Sequence, residues 1–225
     1  MMGASGGFPI DLILFGMIAA FLVLRLRSIL GKRTGFERPP EAMPRPELRV
    51  VEDGTAPAPA AAPPPPPALR TLPDPASPAG RTLAAMRAID PNFTPDGFLA
   101  GAEAAFRMIV AAYAAGDRTA LRPLLADETY AAFEGAIAAR EQAGETQRTE
   151  IREIPEARIE EAALRGGQAS ITVAFTSDQV NLTLDRAGKE VAGTDAVTEI
   201  HDIWTFERDL GSPDPTWRLV AARSA

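Results

Sequence analysis

Fourteen of this chain's 21 prolines fall between residues 39 and 78, five of them in the unbroken run Pro63–Pro67. Proline fixes φ and donates no backbone hydrogen bond, so a stretch this rich in it resists both helix and sheet. It mixes Pro with Ala and scattered charge and has almost no aromatic or β-branched content beyond Val50 and Val51. Such a composition buries too little apolar surface to offset the entropy of ordering. The 225 residues are thereby divided: a linker runs to about residue 80, the core-bearing part follows it, and the segment before it needs its own explanation. As polyproline II, a linker of about 40 residues reaches at most about 120 Å. The Pro63–Pro67 run has a second reading as a ligand for a proline-reading groove. The stiff spacer is the more economical one.

From Ile10 to Leu24 every residue except Asp11 is apolar or glycine, and the first cation is Arg25. Fifteen residues reach only about 22 Å, short of the ~30 Å hydrocarbon core. Phe8 and Pro9 extend the run at one end, and Arg25 and Arg27 snorkel at the other while Leu26, Ile29 and Leu30 stay near the interface. A transmembrane helix is expected over residues 9–30. With no Lys or Arg ahead of the apolar run and Arg-Leu-Arg after it, the segment reads as an anchor and not as a cleaved signal peptide. Asp11 reads as a carboxylate at headgroup level. Residues 25–49 carry seven cations, Arg25, Arg27, Lys32, Arg33, Arg38, Arg45 and Arg49, against three anions. The positive-inside rule then places the C-terminal part in the cytoplasm. The same cluster is a candidate site for anionic lipid headgroups.

Residues 79–225 hold 15 Lys/Arg against 23 Asp/Glu, a net charge of −8. That sign repels phosphate backbones and argues against nucleic-acid binding by the folded part. The chain has no cysteine, so disulfides, thiolate metal sites and cysteine nucleophiles are excluded.

Leu83, Met86 and Ile89 recur at spacings of three and predict a short amphipathic helix ending before Pro91, either packed on the core, which we prefer, or touching the membrane. Thr94-Pro95 is a helix start, with Phe98, Ala102, Ala105, Phe106, Ile109 and Tyr113 on one face and Gly116 as the stop. Asp117 opens a further helix through Leu121, Leu124 and Leu125. Asp127 is expected to cap another, whose buried face is Tyr130, Phe133 and Ile137 and which stops near Gly144. After Gly144 the period becomes two. Ile151, Ile154 and Ile159 fall in a charged first strand, Gly166-Gly167 marks a turn, and Ile171, Val173 and Phe175 alternate. Val180, Leu182 and Leu184 continue the alternation, Ala187-Gly188 turns, and residues 197–208 and 216–222 supply two more strands. Helices followed by a meander mean an α+β domain with a curved antiparallel sheet and an apolar cavity between its layers.

His201 is the only histidine, and no Gly-rich phosphate loop, nucleophile elbow or metal-ligand spacing appears, so neither a metal nor a cofactor is expected. His201 and Asp202 are neighbours on a strand and point to opposite faces. An enzyme reading therefore needs a partner for His201 from elsewhere, such as Asp185 or Glu199. Glu160-Glu161 and Asp127-Glu128 read as solvated faces and caps.

The ending Asp202-Ile203-Trp204-Thr205-Phe206-Glu207-Arg208, followed by Asp214-Pro215-Thr216-Trp217-Arg218-Leu219-Val220, resembles the C-terminal signature of the import-motor scaffold family of the mitochondrial inner-membrane translocase and its α-proteobacterial relatives. Phe98-Leu99-Ala100-Gly101-Ala102 with Ala105-Phe106 and Gly116-Asp117 is similar to the same family, as is Arg25-Leu26-Arg27-Ser28-Ile29-Leu30-Gly31-Lys32-Arg33-Thr34-Gly35. The resemblance implies a pocket-bearing α+β domain shaped like the nuclear-transport-factor cone, membrane association and adaptor work. In mitochondria such scaffolds link a translocation channel to a heat-shock chaperone, and a related branch serves membrane-bound ribosomes. Two departures stand out: a true membrane anchor, and no counterpart of the long charged N-terminal region that engages chaperone and channel.

The expected organisation is an N-terminal tail over 1–8, an anchor over 9–30, a basic then Pro/Ala-rich linker over 31–80, and a Tim44-like α+β domain over 81–225. The expected function is a non-enzymatic, single-pass inner-membrane adaptor with its domain in the cytoplasm. Its partners would be membrane lipids and a protein, among which translocase, chaperone and ribosome components are candidates. The alternative is a lipid-binding module whose apolar pocket is lined by Phe106, Ile109, Tyr113, Phe133, Phe175, Trp204, Phe206 and Trp217. Ordinary core packing is the plainer role for the Trp204, Phe206 and Trp217 side chains. A third reading is a small cone-fold enzyme using His201.

Overall fold

The computed structural model describes residues 68–224. The expected span with Asp11, the basic cluster Arg25, Arg27, Lys32, Arg33 and Arg38, and the Pro63–Pro67 run lie outside the described residues. In chain order the elements are β1 (Leu69–Thr71), α1 (Pro78–Ile89), α2 (Pro95–Ala115), α3 (Arg118–Leu121), α4 (Asp127–Ala143), β2 (Thr146–Arg165), β3 (Gln168–Leu184), β4 (Glu190–Asp209) and β5 (Arg218–Ser224).

The helices start where hydroxyls and proline coincide. Ser77 Oγ accepts from Gly80 N at 3.0 Å ahead of α1, and Thr94 Oγ1 accepts from Gly97 N at 3.2 Å ahead of α2, each with a proline in the first turn. Asp117 caps α3 through Ala120 N. The expected cap at Asp127 is corrected by one position: Ala126 is the N-cap, without a side-chain bond, and Asp127 is already helical. There its charge still complements the helix dipole. Gly116 and Gly144 end α2 and α4 at φ +70°, in the left-handed region that a Cβ disfavours. Gly116→Ala is expected to lower stability by about 1 kcal/mol, read from a denaturant midpoint.

One five-stranded sheet runs in the order β1-β2-β3-β4-β5. From β2 to β5 it is the expected antiparallel meander, but β1 pairs in parallel with β2 through Leu69↔Glu156 to Thr71↔Arg158, so the sheet is mixed. The extra strand comes from the end of the stretch read as linker. A parallel neighbour requires a long crossover, and all four helices provide it here. β2 and β4 are 20 residues long, and register shifts interrupt β2 at three places and β4 at two of its pairings. Such bulges bend a strand and increase its twist.

The core lies between the helices and one face of the sheet. On β3, Ile171, Val173 and Phe175 alternate inward, facing Phe206, Trp204 and Asp202 of β4 in register. From above, α2 buries Phe98, Leu99, Ala102, Phe106, Ile109 and Ala112, while α1 adds Leu83 and Met86 and leaves Ile89 outside. The packing role of α1 is thus observed. Each large apolar side chain fully buried in this way contributes about 1.5–3 kcal/mol. α2 is also the one helix among the described residues long and apolar enough to cross a membrane, by length and composition only. Its buried face belongs to the core just described.

Candidate functional site

Of the eight residues expected to line a cavity, seven fall into two groups that fill one another's space. Phe106 stacks on Phe175 at 4.6 Å between ring centroids and meets Trp204 at 4.6 Å, and Trp204 lies 6.2 Å from Phe206. Ile109 is buried in the same cluster. Tyr113 and Phe133 form a separate edge-on pair at 5.1 Å, with the Arg140 guanidinium over the Tyr113 ring. Burial pushes the Tyr113 phenol above its ordinary pKa, with Arg140 pulling the other way. Trp217 stands just before β5 and touches Phe98 at 4.7 Å and Phe93 at 5.9 Å, reaching Phe206 only through Phe98. Trp204 and Phe206 share a strand face as expected, while the contact of Trp217 with Phe93 has no signal in the spacing. The eight side chains are packed core and the half-buried rim of it.

Past Phe175 the inner face of the sheet turns polar. Asn181 Nδ2 donates to Gln179 Oε1 at 3.2 Å, Gln179 Nε2 donates to Ser177 Oγ at 2.7 Å, and Ser177 Oγ donates to the Ile200 carbonyl at 3.5 Å. Ser177 and Gln179 are buried, so this satisfied chain fixes strand register where apolar contacts run out. On the neighbouring strand Gln147 Nε2 donates to Thr149 Oγ1, and Arg140 joins Gln147 to the Tyr113 and Ala114 carbonyls at the end of α2.

Asp202 borders this strip. It pairs with Phe175 on one side and Ser224 on the other, in phase with Trp204 and Phe206, so its carboxylate faces inward. Desolvation pushes its pKa up to about 6, against the opposing effects of the Ser224 hydroxyl, which donates at 3.1 Å, and of His201. A raised carboxylate pKa means that stability is fullest below about pH 4 and is lost as pH rises through about 6. Asp202→Asn is expected to be more stable than the parent by roughly 2 kcal/mol above pH 7 and equal to it near pH 4, measured by chemical denaturation at both pH values. Sequence periodicity carried this signal, since Asp202 stands two residues from Trp204 on a strand.

His201 occupies the opposite face. Its Nε2 lies 3.2 Å from Glu199 Oε1 and its Nδ1 3.2 Å from Thr176 Oγ1, and both His201 and Glu199 are exposed. Asp185, the other expected partner, instead caps the β3–β4 turn through Ala187 N and Lys189 N. Two open hollows mark the surface, one lined by Arg118, Thr119, Arg122, Pro123, Tyr130 and Arg218, the other by Pro73, Asp74, Ser77, Pro78, Ala79 and Glu160 to Ala162. His201 lines neither, nor do the eight cavity candidates. Among the described residues no cluster of three acidic or histidine side chains is placed to hold a metal ion.

A model of the Tim44-like domain matches residues 79–224. Comparison with curated proteins gives no match. Among solved structures, the chain is similar to the intermembrane-space region of the chloroplast protein ARC6, at 9% identity and TM-score 0.42 over 55% of this chain and 93% of that one. It is also similar to an NTF2-like family protein of Streptomyces avermitilis, described as a candidate dehydratase, at 14% identity and TM-score 0.38 over 58% and 97%. A conserved protein of Planctomyces limnophilus aligns at 18% identity and TM-score 0.30 over 53% and 88%.

Proposed function

The chain belongs to the Tim44-like domain family, and from that membership we propose that it is a single-pass inner-membrane adaptor whose domain binds a protein partner in the cytoplasm. The observation that carries this reading is the extent of the match, residues 79–224, which takes in the four described helices, α1 from its second residue, and the whole β2–β5 meander. The family is one of scaffolds and adaptors, associated with membranes and with protein partners. Sidedness follows from the seven cations of residues 25–49, and the proline-rich stretch gives the domain its working distance. Translocase, chaperone and ribosome components are the partners to look for. The lipid-binding alternative needs a cavity between the layers, and four of the side chains expected to line it, Phe106, Phe175, Trp204 and Phe206, are in contact with one another.

The test is to crosslink the intact protein in its native membrane and affinity-purify it through a C-terminal tag. Reproducible recovery of one protein partner supports the adaptor. Recovery of lipid with no protein overturns it in favour of the lipid module.

A further inference from the structure

The first surface hollow has an unusual wall for this domain. Residues 79–225 carry a net charge of −8, yet three of their 15 cations, Arg118, Arg122 and Arg218, converge on one open concavity of about 650 Å³ whose lining contains no carboxylate. They come from α3, the turn after it and the start of β5, so folding alone brings Arg218 to the other two.

The carboxylates that balance them are exposed neighbours that are not among its lining residues. Arg118 is held by Glu141 through two bonds of 2.9 Å, with Glu134 at 3.8 Å, and these bonds hold Glu141 below the usual carboxylate range. It is the fixed member. Arg122 bonds Asp127 and lies 4.9 Å over the Tyr130 ring, and Arg218 reaches Asp214 at 3.3 Å. Both of these arginines are about half exposed, at 53% and 54%. Exposed pairs of this kind contribute about 0–1 kcal/mol, so each guanidinium can exchange its partner at little cost. Their remaining N–H groups, with the Thr119 and Tyr130 hydroxyls, are the donors available to a guest.

We propose that this hollow docks a short acidic segment of a protein partner, its carboxylates taken by Arg122 and Arg218 and an apolar side chain laid against Pro123 and Tyr130. This rests on the adaptor reading and supplies its contact surface. Arginine and tyrosine around a wide mouth are the composition of a protein interface, and guanidinium groups take carboxylates in bidentate fashion. An anionic bilayer is disfavoured, because a flat surface brought to this hollow would meet the field of an acidic domain over a wide area, whereas a short segment meets only the hollow and the carboxylates it would displace there.

The full chain in zwitterionic nanodiscs would be titrated with a fluorescent eight-residue Glu-rich peptide containing one Phe, with its Gln-for-Glu counterpart, with inorganic phosphate, and with vesicles holding anionic lipid. The expected result is saturable binding of the Glu peptide alone, weakened roughly tenfold or more by Arg122→Ala with Arg218→Ala and by raised salt. Unchanged melting of the double variant confirms that it folds. Equal binding of the Glu peptide by parent and variant overturns the proposal, as does phosphate or vesicle binding that depends on the same arginines at equal strength. Crosslinking in the native membrane separates the two levels. A partner recovered equally by parent and variant removes the hollow and keeps the adaptor, and no partner with either removes both.

Discussion

Phe106→Ala is expected to lower the stability of the folded domain by about 4 kcal/mol, which is a large part of what a domain of this size possesses. The ring is fully buried, stacks on Phe175 and meets Trp204, and so ties α2 to two strands at once. Its removal forfeits the transfer free energy of the ring and leaves a void that Ile109 and Trp204, held by their own strands and helix, cannot close. A urea melt followed by Trp fluorescence reports both effects, because Trp204 borders the void. If the layers did enclose a cavity that a neighbour could fill, the loss would fall below about 2 kcal/mol.

The second large effect is expected at the ion pair of Asp90 and Arg208. Asp90 terminates α1, Arg208 lies near the end of β4, and their atoms are 2.9 Å apart with about an eighth of each side chain exposed. Removing one partner strands the other in a poorly solvated place, so Asp90→Ala is expected to cost about 2–3 kcal/mol. Replacing both, as Asp90→Leu with Arg208→Met, is expected to recover most of that, because the penalty comes from the charge left behind. Chemical denaturation of the single and double variants checks the cycle. Additive losses in the double variant would mean that Asp90 and Arg208 contribute independently and are not coupled as a pair.

Local chemistry makes most of the helical part legible in the sequence. Thr94-Pro95, Gly116 and Gly144 are signals that act within four residues, and each marks the boundary expected of it. The meander is legible for the same reason, since its turns are marked by Gly166-Gly167 and Gly188 at positive φ. β1 is not. Three residues show no period, and Leu69–Thr71 become a strand only because the edge of β2 accepts them and Arg70 finds Glu103 at 3.2 Å, 33 positions away. The cavity residues illustrate the complementary limit. Spacing places Phe106, Phe175, Trp204 and Phe206 on inward faces, but whether facing rings touch or leave a gap depends on layer separation, which no periodicity encodes. The arginine hollow is invisible in the sequence because Arg218 stands about a hundred positions from its companions.

The attachment of β1 has a mechanical side. Any pull arriving along the chain from before residue 68 enters the domain at this strand, which is held by three rungs, the bond from Thr71 Oγ1 to Glu156, and the Arg70–Glu103 bridge. Beside the small buried side chain of Ala68 those are few contacts, whereas α1 beyond them is anchored by the larger Leu83 and Met86 in the core. Traction would peel β1 first and leave the remaining sheet intact. Releasing the stretch from residue 68 to residue 77 adds up to about 30 Å of slack, so the domain has a compliant first stage that yields before its fold does.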